Sequence, residues 1–182
     1  MVQDTIHILA EGATIASIRL HPINLEVLFS RSPFLQHDSE AYSYTAPVYT
    51  QSINLTVETI YPLPLAYSRS NQYIVVEIAG QQYTHLYLSS SLHIQLLELQ
   101  GELKVSNHQL KPVVGAYVKV YARKRDGTSG FYKDGYTDIR GRFDYATLST
   151  KELDGVTRFG ILVADDTLGA TVLEVSPPPH SS

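Results

Sequence analysis

Apolar and polar positions alternate along the chain in short runs, and no run holds a helical period for three turns. In the first half these runs fall at 5–10, 14–20, 23–29, 41–50, 53–61, 73–79, 82–88 and 92–97. Each is of strand length, and Gly, Pro, Asn, Asp or Ser separates it from the next. Glu11-Gly12 and Gly80-Gln81 read as hairpin turns, and 30–40, with Pro33, is the longest loop candidate. Evenly spaced short strands predict a sandwich or barrel. The strands ahead of that loop are expected either to pair within their own domain or to be exchanged with a neighbour.

The second half is organised around Phe131–Tyr145. Asp134-Gly135 and Asp138-Ile139-Arg140-Gly141 both read as turns, because Gly reaches positive φ without steric cost and Asp bonds backbone N–H groups just ahead of it. Alternation after Gly141 puts Phe143 and Tyr145 on one face and Arg142 and Asp144 on the other. Upstream, 98–106 and 113–123 read as strands, and Asp126-Gly127 as a hairpin turn. Ser149-Thr-Lys-Glu152 fits a capping box, predicting one short helical turn over 150–155. The run 158–164, apolar on both faces, suits a central strand, with 170–175 beside it and Pro177-Pro178-Pro179 ending the sheet.

Composition agrees with strands: 13 Tyr, 5 Phe and no Trp among 182 residues, 43% hydrophobic and 18% charged. Net charge is −4, with 3 Lys/Arg against 7 Asp/Glu in residues 1–97 and 11 against 11 in 98–182. Neither half carries the basic excess that phosphate contacts need, so nucleic acid is not an expected partner. The absence of Cys excludes disulfides, thiolate metal sites and cysteine nucleophiles. The first residues carry no signal-peptide pattern, and no apolar run reaches the roughly 18 residues of a membrane span, so membrane insertion is not expected.

In the second half Lys111-Pro-Val-Val-Gly-Ala-Tyr-Val-Lys-Val-Tyr121, Gly135-Tyr-Thr-Asp-Ile-Arg-Gly-Arg-Phe143 and Ala146-Thr-Leu148 stand in sequence. This series resembles the carboxypeptidase regulatory-like, or transthyretin-like, sandwich family, with its G-x-x-V-x-V strand and T-D-x-x-G-x-F turn. The resemblance covers about 80 residues and extends to modules of very large multidomain proteins regarded as non-catalytic folding, adhesion or spacer units. A hydrolase of that fold ends in Tyr-Arg-Gly-Ser. This chain ends Pro-Pro-His-Ser-Ser182, which does not support that activity.

The chemistry-bearing residues point the same way. Seven His stand singly, without H-x-x-x-H or H-E-x-x-H spacing, although His85 and His93 lie on successive runs and could face one another across a hairpin. Asp126, Asp134 and Asp138 sit in loops of one region and are the candidate Ca²⁺ ligands, but no D-x-D-x-D-G loop frames them, and turn formation explains them better. Arg123-Lys124-Arg125 reads as a solvated hairpin end. No G-x-S-x-G elbow and no Gly-rich phosphate loop is present, so no catalytic residue and no cofactor is assigned. Tyr42 with Tyr44, Tyr83 with Tyr87 and Tyr117 with Tyr121 each share a face, which suits either a half-buried sheet or a contact surface.

The expected architecture is all-β: two β-sandwich modules, 1–97 and 98–177, the second transthyretin-like with a Greek-key arrangement of about seven strands and one short helical turn, then a Pro-rich tail, 178–182. The expected function is that of a non-enzymatic structural or interaction protein. It would act through strand edges, as a homo-oligomer or filament or beside neighbouring domains of a larger assembly, in an extracellular or cell-surface setting. The alternative is a carbohydrate- or ligand-binding accessory module that uses exposed Tyr and loop Asp, with Ca²⁺.

Overall fold

The structure is a computed structural model, and residues 5–34, 46–147 and 153–179 are described. They form thirteen strands and one short α-helix: β1 (Thr5–Leu9), β2 (Thr14–Pro22), α1 (Leu25–Arg31), β3 (Tyr49–Leu55), β4 (Glu58–Pro62), β5 (Gln72–Ile78), β6 (Gln81–Tyr87), β7 (His93–Leu97), β8 (Glu102–Ser106), β9 (Tyr117–Lys124), β10 (Ser129–Tyr136), β11 (Arg142–Asp144), β12 (Val156–Asp165) and β13 (Gly169–Val175). The chain divides into two compact units, one of residues 1–25 with 38–89 and the other of 26–37 with 90–182.

In the first unit a four-stranded antiparallel sheet, β3-β2-β5-β6, packs against the two-stranded sheet β1-β4. The period-2 pattern of β2 sends Ala16, Ile18 and Leu20 into the core, opposite Ile78, Val76 and Ile74 of β5. Ile8 of β1, Tyr61 of β4 and Leu63 close that core from the other side. Over the described residues 46–62, which hold part of the expected strand 41–50 and all of 53–61, the chain forms β3 and β4, with a break at Thr56-Val57. The cause is local: Thr56 donates its N–H to Thr59 Oγ1 (3.0 Å) and its hydroxyl to the Glu58 carbonyl (2.8 Å), closing a tight turn there. Residues 41–45, with Tyr42 and Tyr44, lie outside the described residues.

The second unit pairs the sheet β10-β9-β12-β13 with the sheet β11-β8-β7. Val118, Val120 and Ala122 of β9, Phe159, Ile161 and Val163 of β12, Leu103 and Val105 of β8, and Tyr145 fill the space between the two sheets. The turn at Asp138–Gly141 forms as expected, with Asp138 Oδ1 accepting the N–H groups of Arg140 (2.8 Å) and Arg142 (2.9 Å). Asp134-Gly135 does not turn. Both residues lie in β10, opposite Lys119 and Val118, and a Cβ on Gly135 would meet the Phe143 ring at 2.7 Å. That glycine is required by side-chain packing, a demand that looks like a turn signal in the sequence. The capping-box residues 149–152 are not among those described.

Two further differences have one origin each. The run expected to end the first module is β7, which pairs with β8 and so lies in the second unit, not in a hairpin with β6; His85 and His93 therefore stand on strands of different sheets. The run 23–29, read as a strand, contains helix α1. Asn24 precedes the helix, Glu26 lies in its first turn and Arg31 in its last, an order the helix dipole favours. At two turns it is too short for a hydrophobic period to show.

Most of the segment carrying α1 belongs to the second unit, where it covers the outer face of the β9–β12 pair. Phe29 is fully buried and meets the Tyr121 ring edge-on at 5.4 Å. Lys119 Nζ donates to Ser30 Oγ (2.9 Å), and the Arg123 guanidinium lies 4.2 Å from the centre of the buried Phe34 ring. Gly160 lets this segment approach, since a Cβ there would stand 2.5 Å from the Pro33 carbonyl oxygen. This cover explains why β12 is apolar on both faces, with Leu162 fully buried away from the inter-sheet core. It also takes Arg123 out of the expected solvated basic cluster, since its guanidinium stacks on a buried ring.

Candidate functional site

The two sheets of the first unit are unequal, and the inequality opens a groove. On β6, Tyr83 is paired with Val76 and His85 with Ile74, so both point toward the interior side of the sheet. Ile74 and Val76 are covered, whereas Tyr83 is 55% exposed and His85 is exposed too. The two-stranded sheet therefore reaches over β5 and stops, and among the described residues no strand covers β6. The opening has a volume of about 900 Å³, between β1 and the floor formed by Val76, Ile78, Tyr83, His85 and Tyr87. Tyr87 is held by its hydroxyl, which donates to the Ser68 carbonyl (2.7 Å).

One wall of the groove is the backbone of β1. Ala10 N–H donates to the Val57 carbonyl (3.1 Å), which fixes the phase of the β1–β4 ladder. Ile8 and Ile6 then form the hydrogen-bonded pairs with Thr59 and Tyr61. Thr5 opposite Pro62 falls in a non-bonded pair, as it must, since Pro has no N–H. The N–H and C=O groups of Thr5, His7 and Leu9 consequently point away from β4. Among the described residues no strand pairs with that edge of β1. Edges of this kind are templates for strand addition. Sequence alternation identified Tyr83 with Tyr87 as a shared face, but it carries no signal for which strand ends a sheet.

The loop carboxylates lie elsewhere, and each is engaged by its own surroundings. Asp126 Oδ1 accepts the N–H (2.9 Å) and hydroxyl (2.6 Å) of Thr128, Asp138 accepts the two amides named above, and Asp134 Oδ2 accepts the Tyr117 hydroxyl (2.9 Å). These bonds hold the Asp126 and Asp138 carboxyls below the usual carboxylate range, led by Thr128 at the first and by the Arg142 amide at the second. Among the described residues no three His, Asp or Glu gather as metal ligands.

Four of the described tyrosines resist ionisation, Tyr73 and Tyr145 chiefly through burial. Burial, reinforced by Tyr49, pushes Tyr61 up to about 12, and burial with the Asp134 carboxylate does the same to Tyr117. Above the ordinary phenol value of about 10 the unfolded chain loses these protons first, so stability present below that pH is expected to fall between about pH 10 and 12. An alkaline titration followed by phenolate absorbance should show these four hydroxyls ionising late, with the unfolding transition rather than before it. Ionisation of all thirteen Tyr near the ordinary value, with the fold intact, would contradict this.

Comparison with known proteins agrees with this architecture. Residues 91–180 match the family model of the AbpF C-terminal domain, and residues 1–74 match that of the AbpF seventh immunoglobulin-like domain. Both halves are β-sandwiches. The chain is 32% identical, over 168 residues, to actin-binding protein F of Dictyostelium discoideum. That alignment covers 89% of this chain and 7% of the relative's length. The fold is also similar to native alpha-2-macroglobulin from Escherichia coli. A structure of its domains MG0-NIE-MG1 gives a TM-score of 0.58 at 12% identity, covering 94% of this chain and 58% of that one. A second, of NIE-MG1, gives 0.56 at 10% identity, covering 94% and 87%.

Proposed function

We propose that this chain is a non-catalytic protein-interaction module that works through the edges of its sheets. The observation that carries the reading is the likeness to actin-binding protein F, which runs through both immunoglobulin-like modules in tandem rather than through one of them. Edge strands such as β3, β6, β10 and β13 supply surfaces for contact, either with neighbouring domains or with further copies in an oligomer or filament. A transthyretin-like kinship of the second unit is part of the proposal, supported by its four-on-three sandwich and by the Thr137-Asp138 turn that leads through Gly141 to Phe143. A glycan or Ca²⁺-dependent ligand has less support, because Asp126, Asp134 and Asp138 already accept hydrogen bonds from the protein itself.

The relative's name makes actin filaments the first partner to test. The full chain is expected to pellet saturably with filaments, or to grow in mass with concentration in sedimentation velocity. A chain that stays in the supernatant beside filaments and stays monomeric up to hundreds of micromolar would overturn the reading.

A further inference from the structure

Resting on that reading, we infer that the groove beside β1 accepts one extended segment of a partner protein as an added strand, bearing apolar side chains at alternate positions. Among the described residues the uncovered part of the sheet is one strand wide. Cover ends above β5, and β6 is the next and last strand of the sheet, a spacing of about 4.8 Å away. A strand laid there would meet the outward N–H and C=O groups of Thr5, His7 and Leu9. Every second side chain would point down onto Tyr83 and His85, and the others would point outward beside His7 and Leu9, which are exposed.

The same step decides what kind of strand fits. Were a second copy to pair its own β1 edge here, its β6, which protrudes one strand beyond its β1, would occupy the space of this β5, and its β5 that of this β6. An edge belonging to a complete sandwich is therefore blocked, and an isolated segment is not. Charge adds a preference. The first 97 residues carry 3 Lys/Arg against 7 Asp/Glu, and Glu11 stands at the groove mouth, so basic flanks suit the segment.

The test uses the full chain and the heptapeptide Lys-Val-Thr-Val-Thr-Val-Lys, with a control N-methylated at the amides that would face β1. At saturation, hydrogen exchange is expected to slow by at least tenfold at the His7 and Leu9 amides, with little change at Ile6 and Ile8, whose amides already bond β4. The N-methylated peptide should bind at least tenfold more weakly, and Tyr83→Asp, at an exposed floor position, should lower binding of the parent peptide similarly. Unchanged His7 and Leu9 exchange, or equal affinity for the N-methylated peptide, overturns the inference.

Because a free heptapeptide pays a large ordering cost, the same strand is also joined ahead of residue 1 by a flexible Gly/Ser linker, where its effective concentration is millimolar. The fused chain is expected to melt at least about 4 °C higher than a version with Pro at the third and fourth residues of the strand, which removes an amide facing β1 whichever way the strand runs. No such rise overturns the inference as well. If strand acceptance fails while the chain still pellets with filaments or self-associates, the interaction reading stands without this groove. If pelleting and self-association fail while the strand binds, that reading falls instead.

Discussion

Phe29→Ala is expected to destabilise the second unit by about 3–5 kcal/mol, although Phe29 lies in the first thirty residues of the chain. Its ring is fully buried against Tyr121 of β9, and the Pro33–Phe34 segment after it closes over Gly160. Removing the ring leaves a cavity under α1 and uncovers the outer side of the β9–β12 pair. Native-state hydrogen exchange gives the decisive reading, because protection should fall in β9 and β12 and persist in β2 and β5. A loss below about 1 kcal/mol, or a loss shared equally by both units, would contradict the placement of residues 26–37.

Gly141→Ala should cost more than about 2 kcal/mol, by two additive effects. The residue has φ of 74°, where an L side chain is strained, and its Cβ would stand 2.4 Å from the Val105 carbonyl oxygen and 3.3 Å from Pro112. Its own carbonyl accepts the Val105 N–H at 2.7 Å, so the turn cannot move away without loosening the end of β8. Gly127→Ala is the matched control. With φ of 85° and nothing within 4 Å of its Cβ, it should show the backbone strain alone, about 1 kcal/mol. Denaturant midpoints of the two variants separate strain from collision, and equal losses would mean that the carbonyl contact is unimportant.

Strands and turns whose cause is local were legible in the sequence. The alternation of β2, β9 and β11, the Gly127 and Gly141 turns, and β12 as a central strand all follow from residues within a few positions of one another. What could not be read depends on partners far along the chain. Gly135 looks like a turn because the Phe143 ring that demands it lies eight residues away on β11. The first helix was hidden by its length, and the double-sided burial of β12 gave no hint that the cover comes from 126 or so positions earlier, at Pro33 and Phe34. The groove was half visible. Alternation put Tyr83 and Tyr87 on one face, but only the ladder order shows that, among the described residues, no strand covers this face and β1 ends its sheet.

The borrowed cover has an evolutionary consequence. The polypeptide passes between its two units three times, after residues 25, 37 and 89. An exon carrying residues 90–182 alone would deliver a sandwich with Leu162 and Gly160 bare, and one ending at residue 89 would carry an apolar flap with nothing to grip. A duplication or recombination that keeps this packing therefore has to carry residues 26–37 along with 90–182.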